Sequence, residues 1–211
     1  GEVAFIAADD CTGHGVPGAF MSMIGSGKLN DAVTASSDAS EILSLLNKGV
    51  KTALKQSNSD DSTRDGMDIA LCSVDTVTRI VKYAGANRPI WIIRKGQSEV
   101  EEIKATKKAI GGFTEDNQHF DSHEIKLQEG AFYLSTDGYG DTFGKGGKKI
   151  MTKNEAIEIS VAKLLTRVFL NKTLTTCSPM GRKKEIIPFL SLMFASDSPI
   201  YTFHPGKYAV L

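Results

Sequence analysis

The sequence predicts an α+β domain with helices packed on antiparallel sheet, and three observations carry that reading. A short apolar run, Val3-Ala4-Phe5-Ile6-Ala7-Ala8, reads as a buried strand. Two segments of helical pattern follow it. From Met67 onward the pattern changes to short apolar runs separated by turn residues, which read as antiparallel strands. Strand, two helices, a series of strands and a last helix is an order that layers helices on sheets.

The first strand is placed from about Val3 to Asp9. A helix follows Pro17, a residue suited to a first helical turn. Phe20, Met23, Ile24 and Leu29 supply its apolar face, and Gly25 and Gly27 weaken it. The second helix has Asp38 or Ser40 as its cap, with Ile42, Leu45, Leu46, Val50, Ala53 and Leu54 recurring at helical spacing. Residues 57–65 are polar, rich in Asp and Ser, and read as a loop. Met67–Asp75 and Thr78–Ala84 should pair as a hairpin. Pro89–Arg94 is a third strand of this series, and Val100–Ala105 a fourth beyond a Gly96-Gln97 turn. Ile110-Gly111-Gly112 breaks the pattern. His123–Leu127 and Ala131–Ser135 flank Glu129-Gly130 as two more strands. A Gly/Lys loop (143–149) and an amphipathic helix (Glu155–Leu170) come next. Residues 173–211 hold four of the six prolines, a basic run at Arg182-Lys183-Lys184 and no clean period, so they receive no core role.

Length and composition bound the answer. The 211 residues favour one domain, and 41% hydrophobic with 24% charged residues is ordinary for a globular one. Lys+Arg and Asp+Glu both total 25, which argues against a chain-wide footprint for nucleic acid or anionic membrane. Cys11, Cys72 and Cys177 are odd in number and far apart. They form neither a CxxC zinc motif nor a disulfide framework, which points to a reducing, cytoplasmic setting. The longest apolar stretch, Ile186–Ala195, contains Pro188 and Ser191 and is too short to span a bilayer. Because Gly1-Glu2 leads almost at once into a strand, the chain is expected to be cut from a longer protein, incomplete at its N-terminus.

Two motifs carry chemistry. Asp10-Cys11-Thr12-Gly13-His14-Gly15-Val16-Pro17 sets a carboxylate at a strand end, then two glycines around a histidine, then a helix start. The carboxylate can hold a divalent cation, and the glycines admit close backbone approach. The same residues also make an ordinary strand-to-helix turn, and from the octet alone both readings stand. Tyr133-Leu134-Ser135-Thr136-Asp137-Gly138-Tyr139 again ends a strand in Asp-Gly. Two such strands can bring both carboxylates to one sheet edge, where oxygen ligands select Mg²⁺ or Mn²⁺. Asp137-Gly138 alone equally fits a hairpin turn. Other candidates fail. Gly25-Ser26-Gly27-Lys28 lacks the first Gly and the final Ser/Thr of a phosphate loop. His119 and His123 have no helix to align them, and Asp60, Asp61 and Asp65 lack the downstream Glu of a calcium loop.

Asp10 to Ser22 (DCTGHGVPGAFMS), Asp68-Ile69-Ala70-Leu71-Cys72, Tyr83-Ala84-Gly85-Ala86-Asn87-Arg88-Pro89, Ile110-Gly111-Gly112 and Thr136-Asp137-Gly138-Tyr139 resemble, in order, blocks of the SpoIIE/RsbU-like branch of the PPM metal-dependent serine/threonine phosphatases. The resemblance covers about residues 3–152. It implies a β-sandwich of two antiparallel sheets flanked by helices (four layers, αββα). It implies a centre of two Mn²⁺ or Mg²⁺ ions, and hydrolysis of phosphoserine or phosphothreonine by a metal-activated water in signal transduction. Carried over by position, Asp10 would bridge both metals, the Cys11 backbone carbonyl would complete one shell, and Asp137 would bind the first metal. His14 is a candidate general acid, with a loop histidine as its alternative. Asp9 and Asp68 are candidates for outer-shell support. The resemblance also implies a phosphorylated protein substrate and an N-terminal sensor or regulatory domain.

Two departures qualify the implied site. The family's upstream Gly-Asp strand has no counterpart here. Its closing Asp-Asp pair has none either: beyond Asp141 the chain has a single aspartate, Asp197, in the unlike context Ala195-Ser196-Asp197-Ser198-Pro199. Residues 1–152 are therefore read as the phosphatase-like domain lacking its first strand. Residues 153–211 are read as a divergent helix and tail, with sequence foreign to the family as one reading, so that the domain is expected to be C-terminally incomplete. A catalytically impaired, partner-binding domain and a truncated or frameshifted product are the alternative readings.

Overall fold

A computed structural model describes residues 3–56, 64–75, 77–94, 100–126, 130–134, 136 and 209–210. The chain separates into two compact units, Gly1–Ser135 with Leu192–Leu211, and Thr136–Ser191. All elements below belong to the first. Asp137, the Gly96-Gln97 turn, the Gly/Lys loop and the helix expected over Glu155–Leu170 lie outside the described residues.

The apolar run at the start forms β1 (Val3–Cys11), which pairs antiparallel with β2 (Gly66–Asp75) along its whole length, from Val3 opposite Asp75 to Cys11 opposite Met67. The hairpin read from the alternating pattern is present: β2 pairs antiparallel with β3 (Ile80–Ala86). The chain then leaves this sheet. β4 (Ile90–Arg94) pairs with β5 (Glu101–Ile103) and β8 (Gly130–Leu134) in a second, three-stranded sheet. β7 (Ser122–Lys126) returns to the first sheet beside β3. Two short strands complete that first sheet. β6 (Ile110–Gly111) pairs with Gly66 and Met67, and β9 (Ala209–Val210) lies parallel to β1. Ile110-Gly111 is thus a sheet element rather than a simple interruption. Its pairing is carried by backbone alone, which residue pattern does not reveal.

Side-chain alternation sorts the first sheet into two faces. Ile6, Ala8, Ala70, Cys72, Val74, Val81 and Tyr83 meet Ile90, Ile92, Phe132 and Leu134 of the second sheet, making the core of a β-sandwich. Ala7, Met67, Ile69, Leu71 and Ala84 face the other way, onto α1 (Gly15–Ala35) and α2 (Ala39–Ala53). The expected antiparallel sandwich with helices against it is therefore present.

The helices differ in how they were legible. α2 begins at an Asp38 cap whose Oδ1 accepts from the Glu41 amide at 3.0 Å. It buries Ile42, Leu43, Leu46 and Val50 completely, each worth about 1.5–3 kcal/mol of apolar transfer. Leu45, expected in the core, faces solvent, and Leu43 takes its place. On α1 the expected face is right in part: Leu29 is buried and Ile24 half-buried, but Phe20 is 61% and Met23 71% exposed. The buried residues are Gly18, Met21, Gly25, Leu29 and Ala32. The helix packs through its small side, because a Cβ on Gly25 would stand 2.9 Å from the Met67 sulfur. Hydrophobicity alone favours the larger side chains, so it finds Leu29 but misses the buried Gly18, Gly25 and Ala32.

Candidate metal centre at the end of the sandwich

The site is set by the last three residues of β1. Parity places Asp10 on the inter-sheet face with Ile6 and Ala8, and places Asp9 and Cys11 on the helix face. Asp10 stands directly opposite Asp68 of β2, so two carboxylates occupy neighbouring positions on one face. Like charges so placed repel. Arg88 answers this: its Nη2 lies 3.2 Å from Asp10 Oδ2 and 3.2 Å from Asp68 Oδ2. The Asn87 amide nitrogen donates to Asp68 Oδ1 at 2.8 Å. Side-chain exposure falls from 40% at Asp10 through 27% at Asp68 to 14% at Arg88.

Asn87 and Arg88 form the corner at which the chain passes from β3 to β4. Asn87 takes φ +61°, a left-handed conformation that asparagine tolerates better than most residues. Its amide donates to the Thr106 carbonyl at 2.9 Å. The buried Tyr83 hydroxyl donates to the Arg88 carbonyl at 2.6 Å. The guanidinium is thus carried on a backbone fixed from β3 and from the segment between β5 and β6. Asn87 and Arg88 lie within one of the blocks of resemblance, which implies no role for either. The available signal was an arginine in a tight Asn-Arg-Pro corner, and nothing local says which acids that corner faces.

On the helix face, the Cys11 thiol lies 3.7 Å from Asp9 Oδ2 and donates to it. Burial pushes the Asp9 carboxyl above its ordinary value, and this hydrogen bond opposes the shift. Burial pushes the Cys11 thiol up to about 11; a hydrogen bond with Ser22 opposes this, while the Asp9 and Asp10 charges add to it. The thiol therefore stays protonated at neutral pH and offers no thiolate. Thr12 ties the loop down: its amide and hydroxyl both reach the Gly66 carbonyl, at 2.9 and 3.0 Å. Gly13 follows at φ +96°, where a side chain would be strained. His14 is the N-cap of α1, exposed, with no side-chain capping bond.

The structure therefore brings Asp10 and Asp68 together, leaves Asp9 on the opposite face, and places His14 at the start of α1. Asp137 lies outside the described residues. Among the described residues no group of three or more His, Cys, Asp or Glu side chains converges on one point. Of the ligands that the resemblance implies, the described residues include the Asp10 carboxylate and the Cys11 carbonyl. Both are hard oxygens, which fit Mg²⁺ or Mn²⁺ rather than zinc.

Two antiparallel sheets face to face, helices on the first and an aspartate at the end of β1 describe a PP2C-type phosphatase domain. The chain is similar to the SiaA-PP2C domain of Pseudomonas aeruginosa, with 26% identity and a TM-score of 0.58 over 79% of this chain and 72% of that one. It shares the fold of about half of a structure of the RsbU and RsbW domains of Rv1364c from Mycobacterium tuberculosis (16% identity, TM-score 0.54, 79% of this chain and 51% of that). It also shares the fold of the PP2C phosphatase domain with a fragment of the regulatory domain of SpoIIE from Bacillus subtilis (15%, 0.52, 80% and 56%). The chain thus spans little more than half of the last two structures. No curated protein matches it. The family model for stage II sporulation protein E (SpoIIE) matches residues 1–180, and the chain belongs to that family. No helix among the described residues is long and apolar enough to cross a membrane.

Proposed function

We propose that this domain is a metal-dependent protein serine/threonine phosphatase acting in signal transduction on a phosphorylated protein. The observation that carries the reading is Asp10, delivered by an uninterrupted strand to the end of the sandwich on the face that meets Asp68. Asp10 and the Cys11 carbonyl would hold Mn²⁺ or Mg²⁺, with Asp137 as a further ligand. Such ions lower the pKa of bound water and neutralise charge on a phosphoryl group. The chain's own part is to fix the acid at the strand end and to hold the Thr12–Gly15 loop by the Thr12–Gly66 bonds. His14 is the proposed general acid for the leaving alkoxide. Asp68 supports from the outer shell by ordering Arg88 and Asn87. Asp9, on the helix face, contributes charge only at a distance.

Residues 1–152 would form this catalytic unit, with an attached N-terminal sensor or regulatory domain acting through α1 and α2 in the cytoplasm. Hydrolysis of a phosphoserine peptide, measured with and without Mn²⁺, tests the reading. Activity should require the metal and fall by at least about 100-fold in Asp10→Asn and Asp137→Asn. One sequence feature favours a second reading: no Asp-Asp pair follows Asp141. Absence of hydrolysis with saturable binding of a partner protein would establish an impaired, partner-binding domain instead.

A further inference from the structure

We propose that Arg88 is an internal counter-ion that competes with a divalent cation at Asp10 and keeps Asp68 out of the ligand set; this rests on the metal-centre reading of Asp10. One nitrogen, Nη2, stands 3.2 Å from an oxygen of each carboxylate. That is the place a cation shared by the two acids would take. Asp68 is held by both of its oxygens, Oδ2 by Arg88 and Oδ1 by Asn87. Each of its oxygens therefore already accepts a bond within the fold, which orients the carboxylate toward Arg88 and Asn87.

The guanidinium is not a passing surface charge. Its side chain is 14% exposed, Tyr83 anchors its carbonyl, and Asn87 fixes the preceding backbone through Thr106. A guanidinium also stays charged at any working pH. Two carboxylates and this cation leave one net negative charge, where the acids alone would present two. Affinity for a hard cation follows ligand charge and number. Arg88 thereby sets the strength of the centre and decides which acid on this face is offered to metal.

Mn²⁺ affinity of the full 211-residue chain, measured by isothermal titration after chelator treatment, tests this directly. Arg88→Gln should bind Mn²⁺ about tenfold more tightly. Asp68→Asn should bind it about tenfold more weakly, and the double variant should return to within about threefold of the parent. Arg88→Lys, which keeps the charge, should stay within about threefold of the parent. Unchanged or weaker binding in Arg88→Gln overturns the proposal, as does equal tightening in Arg88→Lys or full retention of tightening in the double variant. Circular dichroism in chelator checks folding. Should Arg88→Gln not fold, Asp68→Asn, with Arg88 in place, still decides. Asp10→Asn separates the two readings. If it binds Mn²⁺ like the parent, the metal-centre reading itself fails. If it abolishes binding while Arg88→Gln changes nothing, only the counter-ion role falls.

Discussion

Gly18 shows how much a single residue can decide. A Cβ there would stand 2.8 Å from the Gly13 carbonyl oxygen, a backbone atom that cannot rotate away. Gly18→Ala should therefore destabilise the domain despite alanine's helix preference of about 1 kcal/mol, because overpacking costs about 1–3 kcal/mol. Gly25→Ala meets the flexible end of Met67, with the Cys11 sulfur in ordinary contact at 3.8 Å, and should stay within about 1 kcal/mol of the parent. Urea unfolding of both variants checks the order. Residues differ in the same way in how far sequence reveals them. Asp10 is legible because its signal is local, an acid closing an apolar run beside Gly-His-Gly. Arg88 is not, because its partners lie 78 and 20 positions away, on two other strands. The acidic pair itself depends on register, which places Asp10 opposite Asp68 and which no motif states.

Among the elements, α2 is more legible in the sequence than α1, and the reason is what each packs against. α2 presents aliphatic side chains to the sheet, so its 3.6-residue period is visible. Its polar residues carry a second function that the period hides. Asn47, fully buried, accepts from the Gly111 amide at 2.8 Å and donates to the Glu115 carbonyl at 2.7 Å. Lys51, also buried, donates to the Thr114 carbonyl at 2.5 Å and pairs with Asp116 at 2.6 Å. These bonds fix the loop after β6. Asn47→Ala strands the buried Gly111 amide and leaves the part-buried Glu115 carbonyl without its donor, and should cost about 2–3 kcal/mol; removal of the Asp38 cap should cost only about 1 kcal/mol. Thermal unfolding distinguishes the two. In the turn after β2, Asp75 Oδ1 accepts from the amides of Val77 and Thr78 at 2.9 and 3.0 Å, which hold its carboxyl below the ordinary range. Stability from a depressed carboxylate is complete above its unfolded pKa of about 3.9 and is lost as pH falls through the lower folded value. Asp75→Asn should therefore flatten the acid limb of stability below about pH 4, read from urea midpoints between about pH 5 and 2.

For the whole molecule, the order of strands was legible and their division into sheets was not. β3 and β4 follow one another with three residues between them, which reads as a hairpin, yet they belong to different sheets. If the proposed centre binds Mn²⁺, the folded chain gains about 2.7 kcal/mol when the ion stands at 100 times its Kd. Scanning calorimetry should then show a Tm that rises with Mn²⁺ in the parent and stays fixed in Asp10→Asn.

The corner between β3 and β4 has a consequence for the order of folding. Asn87 follows β3 directly and bridges Ile69 of β2, and Tyr83 of β3 holds the Arg88 carbonyl. The acid pair and the groups that answer its charge are therefore assembled by β1, β2 and β3, consecutive partners in one sheet. Neutralisation of Asp10 and Asp68 should accompany the pairing of these three strands, so the charged end need not oppose the packing of the second sheet that follows.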